Sequence, residues 1–129
     1  MTRAPRTGIY CRSATEDQSH PASNVAVQQA ELTAYCVKMG WQVVKCCLDQ
    51  AISGHCFERP ALNELLAAVK TKPRRFDIIL VRDFSRLGRS IIAQRQIVKI
   101  IKGAGIEIRT PQSEQISSYW PYFVDKNFL

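Results

Sequence analysis

Residues 76–89 read FDIILVRDFSRLGR, a nearly continuous apolar run followed at once by a cluster of arginines. The first six residues predict a strand, and because the run hardly alternates with polar residues, that strand should be covered on both faces. Strands of this kind belong to parallel sheets, where ligands bind outside the carboxyl ends of the strands. The stretch therefore predicts an α/β domain with positively charged side chains at one edge of its sheet.

Strand and helix patterns alternate along the rest of the chain. Strands are predicted over residues 7–12, 41–48, 76–81 and 105–110, and helices over residues 23–39, 60–69 and 89–102. Ser23 is the predicted cap of the first helix, and Pro60 suits the first turn of the second. The order βαβαβαβ with right-handed crossovers predicts a mainly parallel sheet of four strands, or five, with helices on both faces.

The apolar residues of each predicted helix indicate which side faces the sheet. They are Val27, Ala30, Leu32, Ala34, Tyr35 and Val37 in the first helix, Leu62, Leu65, Leu66 and Val69 in the second, and Ile91, Ile92, Ile97, Val98 and Ile101 in the third. After Pro111 the pattern fails. We therefore predict a domain over residues 1–111 and an irregular tail over residues 112–129.

The bulk composition indicates one globular domain. The chain has 129 residues, of which 46% are hydrophobic and 22% charged, which suits a single core. No apolar run approaches the roughly 18 residues of a membrane span, and no secretory apolar segment follows the basic amino terminus. These features predict a cytoplasmic protein with no membrane partner.

The five cysteines are an odd number, so at least one cannot pair within the chain. No C-x-x-C pair is present, and His20 and His55 do not complete a zinc spacing. We expect reduced cysteines that serve as small buried apolar residues, and no metal site.

Positive charge is concentrated in one third of the chain. Residues 70–109 contain 11 Lys and Arg against 3 Asp and Glu, whereas the remainder is close to neutral within an overall net charge of +7. Such a distribution suggests a surface that faces a polyanion, although a solvated basic face is the plainer interpretation.

The first strand runs into residues 9–18, IYCRSATEDQ. Gln28 and Leu32, DQAISG at 49–54, ERPAL at 58–62 and VRDFSRLGR at 81–89 follow in order. Together these pieces, over residues 8–110, resemble the catalytic domain of the serine site-specific recombinases, the resolvase and invertase family. The resemblance implies cleavage and rejoining of double-stranded DNA through a 5′-phosphoserine, with no metal or nucleotide cofactor. It also implies roles in DNA integration, inversion or resolution.

The resemblance also assigns individual residues. It implies that Ser13, Arg12, Arg59, Arg86 and Arg89 are catalytic, and that Arg12, Gln28, Arg82, Arg86 and Arg89 bind the DNA phosphate. Fixed guanidinium groups suit this chemistry, because a phosphoryl transition state carries spread negative charge.

Each of these residues also has a purely structural alternative. Arg12 suits a surface ion pair, Arg59 a pair with Glu58 or Asp49, and Arg86 with Arg89 a solvated helical face. Gln28 is open between the two roles. Asp49 and the Ser53–Gly54 pair favour turn formation over catalysis.

The nucleophile position departs from the family pattern of Arg, any residue, Ser. Aligned without gaps, that position falls on Ala14, and Ser13 takes the intervening place. Since side chains alternate along a strand, a regular strand turns Ser13 away from the face of Arg12. Either the strand ends or bulges at Ser13, which then acts as the nucleophile, or this chemistry is lost. Thr15 is a third candidate hydroxyl.

Two further departures bear on function. Ser85 replaces an acid that many members carry, which removes a carboxylate able to orient Arg86. The family's long helix and DNA-binding domain are not visible after Pro111, which argues against an oligomer.

The sequence therefore supports an enzyme, or alternatively a truncated, inactive domain that binds a DNA phosphate or another recombinase subunit. A flavodoxin-like domain for a small phosphate is weaker, because no glycine-rich loop follows the first strand.

Overall fold

A computed structural model describes residues 3–13, 24–50, 59–88 and 90–111. These residues form four strands and three α-helices in the predicted alternating order. The elements are β1 (Arg6–Arg12), α1 (Val25–Met39), β2 (Gln42–Asp49), α2 (Pro60–Val69), β3 (Ile78–Val81), α3 (Ile91–Gly103) and β4 (Glu107–Arg109), with a 3-10 turn at Phe84–Arg86 between β3 and α3. The tail predicted over residues 112–129 lies outside the described residues.

The four strands form one sheet in the order β2-β1-β3-β4, and every neighbouring pair is parallel. The predicted α/β fold with a parallel sheet is therefore confirmed. Because the chain moves from β1 outward to β2 and then crosses back to β3, the strand order reverses between β1 and β3. A ligand binds at this kind of reversal in open α/β sheets, outside the carboxyl ends of the strands.

Successive side chains of the central strands point to opposite faces of the sheet. On β1, Ile9 and Cys11 pack with Leu32 and Cys36 of α1. Tyr10 lies between them in sequence and packs on the other face, in the core built from α2 and α3. Because packed side chains cover both faces of the sheet, all four residues of β3 are buried, as the uninterrupted apolar run predicts.

The helices begin and pack differently from the sequence expectations in three places. Asn24, not Ser23, caps α1, since its side chain accepts hydrogen bonds from Ala26 N and Val27 N; Ser23 lies outside the described residues. The buried side of α1 is Val25, Gln28, Leu32 and Cys36, and Val37 is 75% exposed. In α3, Ile97, Val98 and Ile101 are buried as predicted, but Ile91 and Ile92 are 52% and 69% exposed.

The four cysteines among the described residues form no disulfide. Cys11, Cys36, Cys46 and Cys47 are unpaired, and burial raises the pKa of the Cys11 thiol to about 12, so that it stays protonated. Among the described residues, no helix combines the length and apolar character needed to cross a bilayer.

Asp77 fastens the start of β1 to the start of β3. Its carboxylate accepts hydrogen bonds from Arg6 N at 2.8 Å and from Arg6 Nε at 3.1 Å, and Arg74 Nη2 lies 3.4 Å away. The bonds to Arg6 lower the pKa of Asp77 to about 2. In the unfolded chain the carboxyl titrates at about 4.

We therefore expect an acid-dependent loss of stability that Asp77 causes. The depressed pKa contributes stability above about pH 4, and this contribution is lost as the pH falls towards 2. Asp77→Asn should lower the free energy of unfolding by about 1 kcal/mol at pH 7 and leave it unchanged at pH 2. Urea unfolding of both proteins at several pH values measures this difference, and parallel pH curves for the two proteins would contradict it.

Candidate active site

The carboxyl ends of β1 and β3 are joined by the side chains of two predicted arginines. Arg12 donates from Nε to the Arg86 carbonyl at 3.0 Å and from Nη2 to the Ser85 carbonyl at 2.7 Å. Arg86, only 5% exposed, donates from Nη1 back to the Arg12 carbonyl at 3.3 Å. The two arginines therefore hold the end of β1 against the 3-10 turn.

Arg59, at the residue before α2, reaches the same turn from the other side. Its Nη1 donates to the Leu87 carbonyl at 2.6 Å, and its Nη2 donates to the Arg86 carbonyl and to the Tyr10 hydroxyl. Its guanidinium also lies over the Tyr10 ring, 5.7 Å from the centroid. Arg12, Arg59 and Arg86, which we call the arginine triad, thus converge on one short segment although 74 residues separate the outer two.

Asp49 supports the triad from the end of β2. Its carboxylate accepts hydrogen bonds from Ala61 N at 2.8 Å and Leu62 N at 2.9 Å, in the first turn of α2, and from the Tyr10 hydroxyl at 2.8 Å. Asp49 is 8% exposed. It therefore satisfies amides that the start of a helix leaves without intrahelical partners. The sequence predicted a local turn role for Asp49 and gave no indication of this contact with α2.

Tyr10 connects Asp49 to Arg59. The buried hydroxyl donates to Asp49 and accepts from Arg59, so that the carboxylate fixes the guanidinium through the phenol. Burial raises the pKa of Tyr10, which keeps the phenol protonated and able to donate. The suggested pair of Arg59 with Asp49 is therefore replaced by a link through Tyr10, while Glu58 lies outside the described residues.

A carboxylate does orient Arg86, although Ser85 replaces the acid of many family members. Asp83 Oδ2 lies 3.4 Å from Arg86 Nε. The other oxygen of Asp83 accepts from Ser85 N at 3.1 Å and from the Ser85 hydroxyl, which caps the 3-10 turn. Asp83 precedes Arg86 by three residues, which is the sequence signal that could have revealed this pair.

Gln28 and Arg82, two predicted phosphate ligands, make other contacts. Gln28 is fully buried, donates from Nε2 to the Arg12 carbonyl at 2.9 Å and accepts from Arg12 N at 3.3 Å. Its amide thus positions the end of β1 and occupies a place on the buried side of α1. Arg82 forms an exposed ion pair of 2.8 Å with Glu31 of α1. Arg89, the remaining predicted phosphate ligand, lies outside the described residues.

Ser13 is almost completely buried, with 1% of its surface exposed. Its N–H donates to the Asp49 carbonyl at 3.2 Å, the next bond of the regular parallel pairing in which Arg12 lies opposite Asp49. The irregularity in the pairing of β1 with β2 lies between Thr7 and Gly8, near the start of β1 and away from Ser13. The described residues therefore show no bulge at Ser13, but β1 ends at Arg12, so that Ser13 is the first residue beyond the strand. Ala14 and Thr15 lie outside the described residues.

The arrangement favours an anion. Asp83 pairs directly with Arg86, and Asp49 is linked to Arg59 through the Tyr10 hydroxyl. Neutral main-chain carbonyls accept further hydrogen bonds from the three guanidinium groups. Arg59 Nε is buried and has no hydrogen-bond partner. Guanidinium donors held in this way suit the oxygens of a phosphate. No cluster of His, Cys, Asp and Glu able to hold a metal ion occurs in the described part of the chain.

Comparison with known proteins agrees with this fold. The model of the resolvase N-terminal domain family matches residues 7–122, and the chain belongs to that family. The uncharacterized immunity region protein 3 of Bacillus phage phi105 is 33% identical over 63 residues, which is 49% of this chain and 77% of that protein.

Solved structures show the same architecture. The N-terminal catalytic domain of TP901-1 integrase is 29% identical, with a TM-score of 0.75 over 92% of this chain and 90% of that one. The C-terminal catalytic domain of ISC1926 TnpA, an IS607-like serine recombinase, is 27% identical, with a TM-score of 0.67 over 88% and 77%. A resolvase-family recombinase from Streptococcus pneumoniae, 17% identical with a TM-score of 0.71 over 95% and 76%, shares the fold. The predicted family is therefore confirmed: the chain is a resolvase-like catalytic domain of the serine recombinase family.

Proposed function

We propose that this domain holds a DNA phosphate with its arginine triad but does not itself cleave the strand. The observation that carries the proposal is the position of Ser13. A nucleophile must come within about 3–3.5 Å of the atom it attacks. Ser13 is the first residue after β1 and is only 1% exposed, so its hydroxyl cannot reach a phosphate at the surface of the domain without leaving this buried position. At the family's nucleophile position stands Ala14, which has no hydroxyl.

Phosphate binding is supported by the way the triad is held. Asp83, the Tyr10–Asp49 pair and the carbonyls of residues 85–87 orient the three guanidinium groups before any ligand arrives. Fixed donors of this kind bind a phosphodiester without the cost of ordering long side chains. The site also lies where the strand order reverses, the usual ligand position in an open α/β sheet.

Cleavage through a phosphoserine is the second candidate function. It is favoured by the similarity to the TP901-1 catalytic domain over 92% of this chain and by the preserved arginine triad. It requires Ser13 to leave its buried position, or Thr15 to supply the hydroxyl. The two functions differ in one observable, a covalent bond between protein and DNA.

A set of four chimeras tests the proposal. Residues 1–122 replace the N-terminal catalytic domain of TP901-1 integrase, unchanged or with Ser13→Ala, Ala14→Ser, or both substitutions. Each chimera is incubated with that integrase's own DNA site in glycerol-containing buffer, and covalent adducts are measured on denaturing gels. We expect an adduct only in the two chimeras with Ala14→Ser, whatever residue occupies position 13, because only they have a hydroxyl at the family's nucleophile position, whereas Ser13 is buried.

A gel-shift assay under native conditions provides the control, since all four chimeras should bind the site equally. An adduct with the unchanged chimera that Ser13→Ala abolishes would overturn the proposal and identify Ser13 as the nucleophile. An adduct that survives Ser13→Ala would direct attention to Thr15, which Thr15→Ala then tests.

A further inference from the structure

The positive charge of residues 70–109 does not gather at the arginine triad. Five of its cations lie instead at the opposite end of the sheet, where α2 and α3 end and β3 begins. All five are exposed: Lys70, Lys72, Arg74, Arg75 and Lys102. The sequence suggested one polyanion-facing surface, whereas the fold places these five cations at the end of the sheet opposite the arginine triad.

Three of these cations, Lys70, Lys72 and Arg74, line a cavity of about 530 Å³ between the ends of α2 and α3. Its apolar lining comes from Val69, Pro73, Ile100 and Ala104, and Lys70 and Lys72 also line it. Arg74 is engaged elsewhere, since it donates to the Gly105 carbonyl at 2.8 Å and pairs with Asp77. Lys70 and Lys72 form no ion pair within the described ranges. The cavity is thus apolar inside and positively charged at its edge.

The chemistry of this cavity, which we call the α2–α3 pocket, selects its ligand. The carboxyl ends of two helices meet there, and their carbonyls disfavour an anion between them. An apolar side chain suits the interior, whereas carboxylates suit Lys70 and Lys72. A DNA backbone offers phosphates but no apolar group to fill the pocket. The complementary ligand therefore combines aliphatic and acidic side chains.

We propose that the α2–α3 pocket docks an acidic segment of a partner protein, with one aliphatic side chain inserted between α2 and α3 and flanking carboxylates on Lys70 and Lys72. The pocket is separate from the arginine triad, which lies at the carboxyl ends of the strands. Both sites can therefore be occupied at once, and this proposal does not depend on whether the triad binds or cleaves DNA.

Peptide titrations of the full chain test the proposal. The probe is a peptide of sequence EDELLDE, and its binding is measured from the 15N NMR spectrum of the protein. Two control peptides each lack one feature: EDEGGDE lacks the aliphatic pair, and QNQLLNQ lacks the charge. We expect EDELLDE to bind about tenfold more tightly than either, because each lacks one of the two complementary features. The largest shifts should occur at Val69, Ile100 and Ala104.

Matched substitutions locate the binding site. Lys72→Gln should weaken EDELLDE binding about threefold, and Lys70→Gln with Lys72→Gln about tenfold, whereas Lys38→Gln on α1 should leave it unchanged. Gly103→Leu should abolish binding by filling the pocket. A Cβ at Gly103 meets no atom within 4 Å, so this variant should fold. Gly103→Ala, which adds only that Cβ, should bind normally, and thermal melts verify that each variant is folded.

Three results would overturn the proposal. Equal binding of EDELLDE and EDEGGDE would show that the apolar interior is not used. Equal weakening by Lys38→Gln and Lys72→Gln would indicate non-specific attraction. A 20-base-pair DNA duplex that shifts the same amides, while EDELLDE does not, would assign the surface to nucleic acid.

Discussion

Arg86→Ala should lower the rate of covalent adduct formation by about a hundredfold when it is introduced into the Ala14→Ser chimera. Removing one preorganised donor from a transition-state site typically costs about 10² to 10³ in rate. Arg86 is 5% exposed, is oriented by Asp83 and contacts the end of β1 through the Arg12 carbonyl, so no neighbouring side chain can replace it easily. Quenched time courses on denaturing gels measure the adduct rate.

Arg82→Ala provides the matched control for Arg86→Ala. Arg82 carries the same charge four residues earlier, but it pairs with Glu31 at the surface. We expect its loss to change the adduct rate by less than about threefold. Arg86→Lys should recover little activity, because an ammonium group cannot reproduce the planar guanidinium. Equal rates for Arg86→Ala and its parent, with both proteins folded by thermal melt, would remove Arg86 from the phosphate site.

Asp49→Ala should lower the free energy of unfolding by about 3 kcal/mol. The substitution leaves Ala61 N, Leu62 N and the Tyr10 hydroxyl without their acceptor, and each lies in a largely buried setting. Hydrogen bonds to a charged group contribute about 1.5–3 kcal/mol each, and losing a buried acceptor adds the cost of unsatisfied donors. Because Tyr10 also fixes Arg59, the variant should in addition weaken DNA binding. Urea unfolding measures the first effect and gel shifts measure the second.

Two variants distinguish the role of Asp49 from a general loss of negative charge. Asp49→Asn keeps one acceptor oxygen and should fall between the wild type and Asp49→Ala. Glu64→Ala removes an exposed carboxylate that pairs with Lys45, and it should leave the stability unchanged within error. If Glu64→Ala destabilises as much as Asp49→Ala, the buried hydrogen bonds are not the cause.

Much of the fold follows from local pattern. The apolar run at residues 76–81 predicts a doubly covered strand, and all residues of β3 are buried. Pro60 begins α2 as predicted, and Gly40 ends α1 in a left-handed conformation that glycine adopts without strain. The sides of α1 and α3 were harder to predict. Gln28 is buried because it bonds the main chain of Arg12, which hydrophobicity alone does not indicate.

The sequence predicted which arginines form the candidate site, but it did not predict their hydrogen-bond partners. The family resemblance singled out Arg12, Arg59 and Arg86, and these three side chains do meet at one turn. Their partners could not be predicted, because each guanidinium bonds main-chain carbonyls that only the folded chain brings within reach. Asp49 and Tyr10 gave no signal of their joint role, since 39 residues separate them.

By itself, the sequence determined the family, the parallel α/β architecture and the absence of a hydroxyl at position 14, because these depend on residue type and spacing along the chain. Only the tertiary structure decided that Ser13 is buried, that Asp83 orients Arg86 and that five exposed cations lie at the end of the sheet opposite the arginine triad. The physical reason is that burial and hydrogen bonding depend on distances between segments remote in sequence. Those distances are set by how the crossovers place β1 beside both β2 and β3.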